Sequence, residues 1–247
     1  MPRITPIRLA AACALAAVLS LSIVSSAAAK GLSADLRVVG SGGKVLAEKT
    51  VGARNTSVKT SPRANCFGPG SGGSGKSVSI GGGTAMGLLA RASLSTRSLR
   101  PLLISDAFDF GLALCGVGGN VAKGEGSWYV KVNHKALTVG AEQAKIKRGD
   151  EVLFALASSF PYPNELWLQA PKRVAKGKPF TVRAFSYDEK GKRKPARNVK
   201  VTGAQSRTGA DGRTRVTLGG PRKLIARLGQ EIPSAKVGVC VGSKCPK

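Results

Sequence analysis

Alternation of apolar and polar residues, at the two-residue period of a strand, is the feature that most limits the fold of this sequence. "AFDFGLALCGVGG" places Phe108, Phe110, Leu112 and Leu114 on alternate positions, and "GSWYVKVNHKAL" does the same with Trp128, Val130 and Val132. Successive side chains on a strand point to opposite faces, so each run predicts a strand with one buried side. A helical period shows in "TAMGLLARASL", where Met86, Leu89 and Ala90 share a face behind Thr84, a residue type that caps helix N-termini. The expected fold class is therefore mainly β with one helix.

The order of these segments suggests two parts. "ADLRVVG" and "GKVLAEKTV" read as a hairpin turning at "GSGG", with Leu36 and Val38 on one face. Gly68 to Gly83 is nearly all Gly and Ser around "SVSI" and reads as a flexible connection. After the helix come the Phe108 run and the Trp128 run, with a tight turn at "VNHK" in which Asn133 can take a left-handed conformation. A further apolar strand follows, "EVLFALA", entered through Arg148-Gly149-Asp150, in which Asp150 is expected to accept backbone hydrogen bonds. Two strands, a helix and three more strands predict an α+β grasp-like domain on a mixed sheet over residues 30–161. Beyond the proline-bearing "SSFPYPNE", short strand-like runs separated by "EKGKRKPA", "TGADG" and "GGP" predict an antiparallel β-sandwich over 162–247.

The N-terminal residues 1–29 read as a signal peptide. Arg3 and Arg8 precede an apolar run from Leu9 to Val24, and Ala27 to Ala29 supply an A-x-A site that would leave Lys30 first. Cys13 would be lost with it. Cys66, Cys115, Cys240 and Cys245 remain, and in an exported chain they read as two disulfides with three pairings open. Cys66 with Cys115 and Cys240 with Cys245 is the economical choice. No C-x-x-C pair is present and the single histidine, His134, is distant in sequence, which weakens a zinc reading.

The formal net charge is +26, from 39 Lys and Arg against 13 Asp and Glu. Outside a cell such a balance favours anionic wall polymers, lipid head groups or acidic polysaccharide. Scarce aromatics argue against a platform for single-stranded nucleic acid. Gly70 to Ser77 matches the phosphate-loop expression G-x-x-x-x-G-K-[ST], and "LLISD", ending at Asp106, could pass for a magnesium-holding strand. A working phosphate loop must follow a buried strand and open a helix, whereas this one runs into "SVSIGGG", so nucleotide binding is not expected. Asp106 and Asp109 would face opposite sides of a strand and make no carboxylate pair. No serine, cysteine or acid is tied to His134 by a catalytic spacing, and it reads as an exposed turn residue. No catalytic, cofactor-binding or metal-ligating residue is expected. Of Trp128 and Tyr129, one should point away from the buried face and mark a contact surface.

"GSWYVKVNHKALTVGAEQAKIKRGDEVLFALA", with its aromatic pair, "VN" turn and "GDEV" step, resembles the transcobalamin-like C-terminal domain family of exported bacterial proteins. "ADLRVVG", the helix after Thr84 and "FDFGLALCGVGG" stand in that family's order, so the likeness spans roughly Ala34 to Ala157. His134 replaces the glycine usual after "VN". In cobalamin carriers the comparable domain closes over a flat corrin ligand, which makes Trp128, Tyr129, Asn133 and His134 candidate ligand contacts. "GKPFTVRAFSYDEKGKRKPARNVKVTG" followed by "TGADGRTRVTL" is similar to bacterial immunoglobulin-like or carboxypeptidase-regulatory-like modules, which are spacers or adhesion units. Together these readings predict a secreted or cell-wall-associated, non-enzymatic binding or adhesion protein with a basic surface for anionic cell-wall polymer or membrane. A cobalamin-like small-molecule ligand is the alternative.

Overall fold

The computed structural model describes residues 31–242; residues 1–29, read above as a signal peptide with Cys13, and Cys245 lie outside the described residues. The first half contains β1 (Ser33–Val39), β2 (Val45–Gly52), β3 (Thr56–Lys59), β4 (Ser77–Ile80), helix α1 (Ala85–Ser95), β5 (Leu102–Phe108), β6 (Gly111–Val117), β7 (Asn120–Val121), β8 (Ser127–Val132), β9 (Lys135–Ala136) and β10 (Glu151–Ala157). Its main sheet has the order β2-β1-β10-β8-β9. β1 and β10 pair in parallel, Asp35 opposite Glu151, while β2, β8 and β9 join antiparallel, so the sheet is mixed. The fold is mainly β with one α-helix among the described residues.

Strand alternation places Val152 and Phe154 of β10 in a core with Leu36 and Val38 of β1 and with Met86, Leu88 and Leu89 of α1. The opposite face is covered as well, since Leu153, Ala155 and Ala157 pack with Tyr129 and with Ile232 from the second half. α1 starts where the Thr84 side chain accepts the Gly87 N–H at 3.1 Å. A Cβ on Gly87 would collide with the Gly81 carbonyl oxygen. Gly→Ala inside a helix ordinarily stabilises by about 1 kcal/mol. Gly87→Ala is expected to reverse that sign, lowering the urea midpoint, because the neighbour it meets is backbone.

Two expectations for this half need correction. The run from Phe108 to Leu114 is not one strand: β5 and β6 form a hairpin, Phe108 opposite Gly111, and Phe110 stands at its tip. Continuous alternation across a short turn hid the reversal. Nor is the Gly-rich stretch a loose connection. β4 pairs with β3, Ser105 Oγ donates to the Ser71 carbonyl at 2.5 Å, and Gly73 N–H donates to Ser61 O at 2.8 Å. A Cβ on Gly72 or Gly73 would meet backbone atoms of Pro62 or Ile104, so the glycines allow close packing.

The second half contains β11 (Glu165–Gln169), β12 (Arg173–Val174), β13 (Pro179–Tyr187), β14 (Arg193–Pro195), β15 (Lys200–Val201), β16 (Arg213–Thr217), β17 (Arg222–Leu224), β18 (Ala226–Arg227) and β19 (Val237–Val241). β13 pairs with β11 on one edge and with β14 and β16 on the other, while β12, β19 and β17 form a second sheet and β15 pairs with β18. Leu166, Val182, Ala184 and Val216 meet Val201, Leu224 and Val239 in a single core. All pairs here are antiparallel except β12 with β19.

Candidate functional site

β8 carries the site. β10 pairs along its whole length on one side, but on the other β9 reaches only Lys131 and Val132. The outer edge from Ser127 to Tyr129 therefore has no strand beside it, and across a gap lies β6, which belongs to another sheet. The gap is a groove of about 360 Å³ walled by Leu112, Leu114, Trp128, Tyr129 and Leu137, with Met86 beneath. At its rim Phe67, Phe110 and Val139 are 60%, 61% and 52% exposed, a concentration of apolar surface that monomeric proteins seldom leave open without a use. Phe108 braces the two rim phenylalanines, edge-on to Phe67 at 5.4 Å and stacked on Phe110 at 4.7 Å. Phe67 also follows Cys66, which is joined to Cys115 by a disulfide.

Both β8 aromatics are buried, against the expectation that one would face solvent. The two-residue period does send them to opposite faces, but each face is covered: Trp128 enters the α1 core and Tyr129 stacks on Tyr162 at 4.5 Å. They reach the groove because it runs along the open strand edge. Trp128 Nε1 and Tyr129 Oη are themselves buried and have no hydrogen-bond partner among the described residues. Burial, reinforced by the charges of Glu189 and Glu165, pushes the Tyr129 phenol far above its ordinary value, so it stays a neutral hydroxyl. A wider cleft of about 680 Å³ lies between the Gly40–Gly43 turn and the Leu228–Pro233 segment, walled largely by loop backbone.

Asn133 and His134 lie elsewhere. Both have left-handed backbone, φ 49° and 68°, in the β8–β9 turn. The Asn133 side chain is occupied: Nδ2 donates to Asp150 Oδ1 and Oδ1 accepts the Glu151 N–H, each at 2.9 Å. Asp150 accepts the Lys147 N–H at 2.7 Å, as its turn role required. His134 is not an exposed turn residue. Its ring stacks on Tyr187 at 3.9 Å, Nδ1 is 3.1 Å from Glu165 Oε2 without hydrogen-bond alignment, and Nε2 is 3.6 Å from Glu151 Oε2.

Glu165 is the centre of that junction between the halves. It is ion-paired with Arg37, and Lys131 Nζ lies 3.4 Å from its other oxygen. Lys131 also donates to the Asp188 carbonyl at 3.0 Å, and Arg37 to that of Pro233. Burial acts most strongly on Glu165 and opposes ionisation, but His134, Arg37 and Lys131 together outweigh it and hold the carboxyl below its ordinary range. Burial lowers the Lys131 ammonium, with Glu165 resisting. Arg37, Lys131 and the His134 ring thus converge on one carboxylate, an arrangement that fastens the halves. Lys131 is the lone charge in the apolar strand β8, a signal by which sequence could have flagged it, whereas Arg37 shares β1 with Asp35 and stands out less.

The phosphate-loop match is closed by the same kind of internal pairing. Ser77 opens a strand, and Asp106 takes up the loop donors, accepting the Ser74 N–H and Oγ–H at 2.6 Å each. Those Ser74 bonds hold the Asp106 carboxyl below its ordinary value. Among the described residues no group of three or more His, Cys, Asp or Glu could hold a metal ion.

Fold and groove define a β-rich protein with a candidate ligand site at an open strand edge. No family model matches the chain, and no curated protein matches it. Among solved structures, haptocorrin in complex with Cbi matches 52% of this chain at 10% sequence identity with a TM-score of 0.34. The chain spans 25% of that protein's length, so the match is weak and partial.

Proposed function

We propose that this is an exported, non-enzymatic binding protein whose β6–β8 groove holds a flat, largely apolar portion of a small-molecule ligand. The exposed apolar rim of that groove carries the reading, because Phe67, Phe110 and Val139 stand in solvent around it and a flat apolar ligand would cover them. The groove lies near the lower end of the roughly 300–1,000 Å³ typical of small-molecule pockets. A corrinoid would enter by one edge of its ring, with Phe67 and Phe110 at the mouth of the groove. Titration calorimetry with cobalamin and smaller flat heterocycles tests this. Saturable binding at micromolar Kd or tighter, about −8 kcal/mol, is expected, weakened about tenfold in Phe110→Ala by loss of apolar contact at the rim. Flat traces across the panel, or unchanged affinity in Phe110→Ala, refute it.

The excess of basic side chains supports a second contact, with anionic polymers of the envelope into which an exported protein is delivered.

A further inference from the structure

We infer that the outer face of the β13 sheet docks a phosphate-bearing anionic polymer; this deepens the proposed envelope contact and is independent of the groove. Along β13 the residues Val182 and Ala184 point into the core, so Thr181, Arg183 and Phe185 occupy the other face. β16 repeats the alternation with Thr214 and Val216 buried and Arg213 and Arg215 exposed. Register sets Arg213 directly opposite Arg183, and Arg215 opposite Thr181 one pleat further on. On the remaining stretch of β13, β14 contributes exposed Arg193, whose guanidinium lies 4.5 Å from the Phe185 ring centre. Arg183 lies over the same ring at 4.7 Å.

Four guanidinium groups therefore share one face. Among the described residues their charges are left largely unanswered, since the single acid paired with them is Asp211, 3.8 Å from Arg213 and itself exposed. The face does contain Glu165, but that carboxylate is buried and neutralised at the junction. Like charges directly opposite on neighbouring strands destabilise a sheet. The Arg183–Arg213 pair is thus an unfavourable choice for stability alone, and a bound anion would remove the repulsion. Arginine forks take oxyanions bidentately, and a phosphate offers more acceptor oxygens to bridge neighbouring guanidiniums than a carboxylate does. Phe185 is buried and capped by the two arginines, and Trp167, opposite it on β11, is half-buried with Arg193 over its ring at 5.8 Å, so a base would have to displace Arg193 to stack there, which disfavours single-stranded nucleic acid.

The test measures binding of the full protein to inorganic polyphosphate, with polyglutamate and an oligo-dT of matched charge as comparison arms. Arg183→Gln/Arg213→Gln/Arg215→Gln is compared with Lys172→Gln/Lys176→Gln/Lys178→Gln, an equal loss of charge at other exposed positions. Polyphosphate is expected to bind more tightly than either comparison polymer. The arginine variant should lose about 100-fold and flatten the log–log salt slope by about 2, on the order of 0.7–0.9 per lost phosphate contact, while the lysine variant changes less than about threefold. The conservative Arg→Lys triple should recover only part of the loss, because it restores charge without the fork. Equal losses in the arginine and lysine variants overturn the face while leaving an anionic partner standing. Absence of binding to all three polymers overturns both. Tighter binding of polyglutamate or oligo-dT overturns the phosphate assignment.

Discussion

Glu165→Ala is expected to destabilise the protein by about 3–5 kcal/mol in urea or guanidinium unfolding, because Arg37 and Lys131 are left charged and uncompensated in a desolvated junction. The pH dependence distinguishes this from loss of packing. In the native protein the Glu165 carboxyl is held below its ordinary value of 4.5, so its stabilisation is complete above that value and is lost as pH falls through the depressed one. The variant should lack that acid slope. Lys131 adds an alkaline signature of opposite origin. Its folded value is lowered from 10.5, so the unfolded chain keeps this proton to higher pH and stability rises as pH climbs between the two values. Without Glu165 that rise should be larger, and Lys131→Met in the same background should abolish it. Replacing Arg37, Lys131 and Glu165 together by apolar residues of similar volume should cost little compared with Glu165→Ala.

Cys66→Ala/Cys115→Ala gives the second large effect. The disulfide spans 49 residues of sequence, for which loop closure in the unfolded chain corresponds to about 4 kcal/mol. The loss should be visible as a lower unfolding midpoint. It should also reach the ligand site, because Phe67 is the neighbour of Cys66 and Cys115 lies in β6. Under conditions where the reduced protein remains folded, weaker ligand binding than in the oxidised protein is expected. Cys240 is disulfide-bonded too, while its expected partner Cys245 lies outside the described residues.

Local chemistry was legible in the sequence, and contacts between layers were not. Thr84 announced α1 because a cap needs only residues within one turn, and "VNHK" announced the β8–β9 turn because Asn tolerates a positive φ. A continuous apolar run announced β10, and alternation located β8 and the faces its side chains take. It could not say that both faces of the sheet are covered, and so misjudged the exposure of Trp128 and Tyr129. The Asp109–Phe110 reversal escaped notice because the apolar alternation continues through it. The Glu165 junction unites residues as far apart as Arg37 and Tyr187, and no local spacing relates them. The groove was invisible for a related reason: it is made by a strand that fails to pair, a property of topology rather than of Ser127 to Tyr129 themselves.

The parallel pairing of β1 with β10 bears on how the chain matures. Asp35 must find Glu151 before the centre of the sheet exists, so the first strand made has its inner neighbour among the last of its half. Closing so long a loop is entropically slow, and non-local pairings of this kind delay folding. β1 can close on β2 as a local hairpin, so what waits for downstream sequence is the inner edge of that hairpin, and the sheet gains its centre only when β10 arrives.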